Sequence, residues 1–335
     1  MDDLSPPTPD VLVARLGDLA QAALPLWDLP PGCTTRLINL SENATFLVEA
    51  PDGGRTVLRV HRLGYHSRAA IQSELDWMAA LYRDAGVITP QAIPGRDGAL
   101  IQRMATPDLS QPRHMVLFHF IEGYEPSEDD DLIEPFERLG AVSARLHQHA
   151  MGWHRPPGFE RLVWDDDSIL GPNPLWGDWR RAVGMDAAAV ALLERQAAVI
   201  RRRLARFGRA RDRYTLIHAD IRLANLLIVD DSTRVIDFDD SGFGWLLYDV
   251  ATALSFFEHS PKVPDLVDAW LRGYRTVRAL PADDEAEIPT FIMLRRMALL
   301  AWSGTHAETE LAQSLGPAYT RGSCDLAEDY LRRFG

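Results

Sequence analysis

Lysine is almost missing from this chain. Lys262, in "SPKVP", is the single lysine among 335 residues, and arginine supplies the rest of the basic charge. A Walker A loop needs Gly-Lys-Ser/Thr. A P-loop nucleotide site is therefore excluded, as is any mechanism that needs a lysine elsewhere. Cysteine is scarce too: Cys33 and Cys324 stand far apart, leaving neither a disulfide framework nor a cysteine zinc site. No apolar run approaches the roughly 20 residues of a membrane helix. The acidic, proline-rich start "MDDLSPPTPD" does not read as a signal peptide, so a cytoplasmic location is the expectation. Excess positive charge is missing as well. The 35 Lys and Arg face 48 Asp and Glu, a formal net charge of −13. That argues against non-specific nucleic-acid binding and mildly favours a cationic or metal-complexed ligand.

The composition is 46% hydrophobic and 25% charged, that of an ordinary globular protein, long enough for two modest domains or one bilobed one. Residues 9–24 have helical spacing. "TFLVEA" and "TVLRVHR" read as strands joined by the turn "PDGG", and Ser67 is placed to cap a helix that stops at Gly86. "LIQRM" and "HMVLFHFIEG" add two more strands. Beyond Gly123 the pattern is helical, with a long helix starting near Asp186 and one short hairpin, "NLLIV" and "RVIDF", turning at Asp230, Asp231 and Ser232. The order is a β-rich front and an α-rich back, without repeats or a long linker.

One helix carries an oddity. Ile71, Leu75, Met78 and Tyr82 form the inner face of residues 67–85, and Glu74 points the same way. Such an acid either reaches water at the edge of the face or partners an inward cation. Arg59, isolated in "TVLRV", is the natural candidate for that cation.

The hairpin region gathers acids. His218, Asp220, Asn225, Asp237, Asp239 and Asp240 fall within "LIHADIRLANLLIVDDSTRVIDFDDSGFG". Burying carboxylates costs several kcal/mol each unless positive charge compensates. Either a cation belongs here or these are loop polar groups. The hairpin lets Asn225 and Asp237 converge, and an amide oxygen with a carboxylate makes a hard donor set suited to Mg²⁺. Asp220 is left free to accept a proton from a hydroxyl.

The spacing His-x-Asp-x-x-x-x-Asn, followed by an Asp at a strand end, resembles the catalytic and metal loops of protein-kinase-like phosphotransferases. "HADIRLANLL", "VIDFDD" and "YDVA" more closely resemble the aminoglycoside phosphotransferase and choline kinase family. "TVLRV", "SELDWMAAL", "FHFIEG" and "ARLHQHA" follow in that family's order. "RLH", "WDDDSILGPNPLWGDW" and "MLRRMALLAW" look most like its bacterial stress-response Ser/Thr kinase and homoserine-kinase-like branch.

The resemblance implies an α+β, bilobed protein-kinase-like fold. Residues 1–118 would form a nucleotide-binding lobe of antiparallel strands with one main helix, 119–123 the hinge, and 124–335 a helical catalytic and substrate-binding lobe. It implies ATP and Mg²⁺ as cofactors. Asp220 would be the base, and Asn225 and Asp237 would hold metal. Arg59 would stand where the family has a phosphate-contacting lysine, oriented by Glu74. Ser41 and Asn43, in "LSENATFLV", would lie over the phosphates, and backbone near His119, Phe120 and Ile121 would meet adenine. Asp249 would brace the catalytic loop.

The chain departs from the pattern in places. Arginine at 59 pairs phosphate with a different geometry from lysine. Between Leu40 and Val48 there is no glycine to let backbone approach phosphate closely. Ala219 takes the place of the arginine that receives activation-loop phosphate in eukaryotic protein kinases, so constitutive activity is expected.

Three functions are compatible with these residues. The first is a kinase for a hydroxyl of a small, amine-containing molecule. The second is a protein Ser/Thr kinase of the stress-response type, and the third a nucleotide-binding pseudokinase. His147, His149 and His154 read as core or surface histidines, since positions two apart do not share a helix face. Trp176, Trp179, Trp245 and Trp302 read as packing residues before an amine cage, and "EDDD" at 128–131 as the solvated approach to a helix.

Overall fold

The computed structural model describes residues 9–307 and 309–335. It divides into two compact units. One runs to Ala80 and includes Thr89–Glu122 and Arg155–Glu160; the other is Leu81–Ile88, Gly123–His154 and Arg161–Gly335.

In the first unit, helix α1 (Pro9–Ala23) lies beside an antiparallel sheet of β1 (Thr34–Leu40), β2 (Ala44–Glu49), β3 (Arg55–Val60), β4 (Ala92–Ile93), β5 (Gln102–Met104) and β6 (Arg113–His119). The order is β1-β2-β3-β6-β4, with β5 also pairing β6. Leu19, Trp27, Phe46, Leu58 and Met115 meet in its core. The strand readings at β2 and β3 hold, in register Phe46 to Leu58 and Thr45 to Arg59. Strand β1 is an addition to the sequence reading. Its burial alternates from Thr34 to Ile38, but apolar Ile38 and Leu40 fall on exposed positions, so its side chains do not alternate polar with apolar. Ser67 caps helix α2 (Arg68–Ala85) by accepting the Ala70 N–H at 3.0 Å.

The second unit is mostly helical: α3 (Ile133–Gly152), α4 (Asp166–Leu170), α5 (Ala187–Phe207), α6 (Tyr248–Ala253), α7 (Val263–Arg275), α8 (Ala282–Glu285), α9 (Ile288–Thr305) and α10 (Glu310–Phe334). Asp186 caps α5 through the Ala189 N–H. The expected hairpin is β9 (Leu226–Val229) against β10 (Ser232–Val235). It is not the one β element of this unit. Strands β7 (Leu162–Trp164), β8 (Tyr214–Ile217) and β11 (Gly242–Trp245) form a three-stranded sheet in the order β7-β11-β8. Each is only three or four residues long, too short to carry a legible period.

Helices α3 and α7 cross at two glycines. A Cβ on Gly140 would meet the Trp270 carbonyl oxygen at 1.9 Å, and one on Gly273 the Glu137 carbonyl oxygen at 1.6 Å. Backbone therefore touches backbone, and no larger residue fits either position. This contact brings Tyr274 to His147, whose Nδ1 lies 3.0 Å from the Tyr274 hydroxyl. The other face of His147 then serves the site described next.

Candidate active site

The site is built outward from Asp249, fully buried in the first turn of α6. Its Oδ1 accepts the Ala219 N–H at 2.8 Å, and its Oδ2 the His218 N–H at 3.2 Å. His147 Nε2 meets the same Oδ2 at 2.9 Å. One turn on, Thr252 Oγ1 accepts the Ile221 N–H at 3.0 Å. Residues 218–221 thus give three backbone donors to two side chains of one short helix. That bracing maintains a strained conformation: Ala219 has φ 67°, where a residue with a Cβ rarely sits unless its surroundings enforce it.

His218 links this loop to the segment before Asp237. Its Nδ1 accepts the Asp220 N–H at 3.3 Å, which leaves Nε2 to donate to the Ile236 carbonyl at 3.1 Å. The tautomer follows from those two partners. Asn225 turns both amide hydrogens onto Asp220, one to its carbonyl at 2.9 Å and one to Oδ2 at 2.8 Å. The Ile236 N–H donates to the Asn225 carbonyl at 2.9 Å, so Asn225 and Asp237 become neighbours across the hairpin. Asp237 has φ 60°, a left-handed conformation, and opens the tight turn Phe238–Asp240.

Arg161 and Trp164 hold that turn. Arg161 donates to the carbonyls of Ser241 at 2.6 Å and Phe238 at 3.2 Å, and to that of Asp239. Trp164 Nε1 donates to the Asp240 carbonyl at 2.7 Å. Four successive carbonyls, 238 to 241, are thus fixed from β7 and the residue before it.

Asp220 carries more cationic company than its sequence neighbourhood suggests. Arg295 of α9 reaches its Oδ1 at 2.5 Å, and Arg222 Nε lies 3.5 Å from Oδ2. Burial alone pushes the Asp220 carboxyl up. The two guanidiniums outweigh it and hold the group below its usual range, ionised at neutral pH. Arg295 was missed by sequence reasoning, although a signal existed. "MLRRMALLAW" is apolar on every side except for two adjacent arginines, and a charge in an all-apolar helix demands a buried partner. Arg161 and Trp164 had no such signal.

Among the described residues no group of three or more His, Cys, Asp or Glu could hold a metal. Asn225 with Asp237 is a smaller set. With both its amide hydrogens directed to Asp220, the Asn225 side-chain oxygen is kept as an acceptor. One amide oxygen and one carboxylate suit a hard divalent cation that takes its other ligands from phosphates and water.

The remaining expected residues lie in the first unit. Arg59 on β3 and Glu74 on α2 form an ion pair at 2.7 Å, with side chains 7% and 0% exposed. Glu74 is therefore the buried partner and not an acid reaching water. The Arg59 guanidinium also lies over the Phe118 ring, 5.1 Å from its centroid. Asn43 is buried and its Oδ1 accepts the Arg62 N–H at 3.0 Å; the Ser41 N–H donates to the Asn43 carbonyl at 3.1 Å. His119 ends β6 and donates its N–H to the Gln91 carbonyl at 2.9 Å. Phe120 lies under the Arg55 guanidinium at 4.2 Å, and Ile121 is half-buried.

Residues 34–286 match the model of the phosphotransferase enzyme family. The chain belongs to that family. It is 45% identical to a microcompartment-associated aminopropanol kinase of known structure, over 95% of this chain and 98% of the other, with a TM-score of 0.88. A curated amicoumacin kinase of Bacillus subtilis (strain 168) is 23% identical over 254 residues, 72% of each protein. An amicoumacin kinase solved in complex with AMP-PNP, Ca²⁺ and Ami is 20% identical, over 95% of this chain and 96% of that one, with a TM-score of 0.74; at that identity it speaks for the fold alone. This family member is thus an α+β protein of kinase-like fold and an ATP-dependent phosphotransferase acting on hydroxyl groups. Among the described residues no helix is long and apolar enough to cross a membrane.

Proposed function

We propose that this phosphotransferase moves the γ-phosphoryl group of ATP, with Mg²⁺, onto the hydroxyl of a small amino alcohol. The observation that carries the reading is the 45% identity, along nearly the whole of both chains, to an aminopropanol kinase. In this reading Asp220 meets the acceptor hydroxyl, orients it and takes its proton as the new P–O bond forms. Its ionised state, kept by Arg295 and Arg222, is the state a base requires. Asn225 and Asp237 would hold Mg²⁺. When bound, that ion neutralises phosphate charge. Arg59, kept in place by Glu74, faces the phosphates of ATP. Ser41 and Asn43 shape the turn over those phosphates, and the backbone of residues 119–121 receives adenine. Catalysis then comes mainly from positioning and charge neutralisation.

ADP release measured across a panel of acceptors tests the substrate class. Aminopropanol or ethanolamine should raise ADP release well above the acceptor-free rate, while the deaminated alcohols and a generic basic protein should not. Equal turnover with and without the amino group would sink the amino-alcohol reading. Phosphate appearing on the basic protein would instead favour a protein Ser/Thr kinase.

Arg59 gives a second expectation. Arg59→Met should raise the KM for ATP and lower kcat, because a cation facing the phosphates is lost. Arg59→Lys should recover part of the loss, since the charge returns without the planar fork. Glu74→Gln should behave as a milder Arg59→Met. The double variant should fall short of the sum of the two, as expected for residues in contact. Additive effects in steady-state kinetics would separate the ion pair from nucleotide binding.

A further inference from the structure

We propose that Arg295, on α9, is a positioning residue that fixes the Asp220 carboxylate for phosphoryl transfer. The proposal rests on reading Asp220 as the base for the acceptor hydroxyl. Three features of the guanidinium carry it. One nitrogen, Nη2, holds Asp220 Oδ1 at 2.5 Å, and another, Nη1, lies 3.4 Å from the carbonyl of Ala219, the strained residue before it. The third, Nε, donates to Ser255 Oγ at 2.9 Å, so the fork cannot pivot. Its faces are covered as well, by the Trp176 ring at 5.0 Å and the Tyr248 ring at 5.9 Å.

The carboxylate is thereby gripped at both oxygens. Arg295 takes Oδ1 and Asn225 Nδ2 takes Oδ2 at 2.8 Å, which stops rotation about the bond that aims the group. Arg295 itself is only 1% exposed, whereas Asp220 is 13% exposed. A buried fork cannot touch an acceptor molecule, so it acts through Asp220. The supports of the fork are themselves fixed. The Trp176 carbonyl accepts from Thr305 Oγ1 at 3.0 Å, which ties the loop after α4 to the end of α9. Next in sequence, Arg296 pairs with the buried Glu258 at 2.5 Å and donates to Ser323 Oγ. It therefore makes a control: an arginine equally buried in the same helix, whose partner is not Asp220.

The test is steady-state kinetics with ATP and the best acceptor on Arg295→Lys, Arg295→Met, Asp220→Asn, Arg296→Lys and the double variant Arg295→Met with Asp220→Asn. Arg295→Lys keeps the charge and loses the fork; its kcat should fall about 10-fold, with the KM for ATP within about two-fold of the parent. Arg295→Met should fall further, to about 10²-fold, the loss expected when a reacting group is misplaced. In the double variant Arg295→Met should add nothing to the loss from Asp220→Asn, because it acts only through that carboxylate. Arg296→Lys should lower the melting temperature without a comparable fall in kcat. If Arg295→Met does not fold, Arg295→Lys decides alone. An unchanged kcat in Arg295→Lys overturns the proposal, and so does an equal fall in Arg296→Lys, which would mean general loosening of α9. Substantial activity in Asp220→Asn is a different failure: it removes the base reading itself. A dead Asp220→Asn beside a fully active Arg295→Met removes only the positioning role.

Discussion

Asp220→Asn should bind ATP as tightly as the parent and transfer its phosphoryl group about 10²- to 10⁴-fold more slowly, the usual cost of losing a general base. The substitution is nearly isosteric. Its new amide can still meet Asn225 through its oxygen, so the loop that Asp249 and Thr252 brace should keep its shape. What disappears is the negative charge that would accept a proton. It also leaves the Arg295 guanidinium buried without its anionic partner, which costs stability. Circular-dichroism melting should therefore accompany the rate measurement. The decisive comparison is ATP affinity by calorimetry against kcat. A variant that keeps half of its turnover would mean that Asp220 is not the base. A variant that loses ATP affinity and rate together would place the carboxylate on the nucleotide side.

The second large effect is expected at Asp237. Asp237→Ala should abolish turnover and weaken ATP binding in the presence of Mg²⁺, because the charged member of the donor pair is gone. Asn225→Ala should be milder towards nucleotide, since it gives up one neutral oxygen, though it also frees Asp220 Oδ2. Titrating ATP into each variant with and without Mg²⁺ separates these roles. A deficit at Asp237 that is the same without the ion would take the metal away from this residue. The left-handed backbone at 237 adds a second reading of the same variant. Alanine has no side chain to stabilise φ 60°, so a small loss of thermal stability should appear even without nucleotide.

Legibility in the sequence followed the range of the interaction. Asp220 and Asn225 are five residues apart and touch, and the hairpin between Asn225 and Asp237 is written in adjacent strand and turn signals. Arg59 and Glu74 were also foreseeable as a pair, because each breaks the pattern of its own element and such exceptions need each other. Arg295 lies 75 residues from Asp220, and nothing local connects them. The same holds for Arg161, whose hold on three carbonyls of the turn after Asp237 depends on a parallel pairing of β7 with β11. The edge strand β1 escaped notice for another reason: its exposed positions carry apolar Ile38 and Leu40 as well as Arg36, which hides the alternation of its burial. His147, read as a core or surface histidine, is buried, and its partnerships with Tyr274 of α7 and Asp249 of α6 join residues more than 100 apart in sequence.

The arginine-only ion pairs have a consequence at alkaline pH. A buried ammonium would begin to lose its proton near or below pH 10, whereas guanidinium keeps its proton above pH 12. Burial lowers the Arg295 pKa, but Tyr248 and Asp220 raise it by more, so the cation that holds Asp220 stays charged. Two buried phenols around the catalytic loop do respond to base. Burial pushes Tyr248 and Tyr274 from 10.0 up to about 12. Each pKa is raised on folding, so the stabilisation is complete below pH 10 and is lost as the pH climbs towards about 12. Tyr248 stands beside Arg295, and Tyr274 hydrogen-bonds His147. Base would thus loosen the catalytic loop through its neutral aromatic supports, while the contact of Arg295 with Asp220 remains closed.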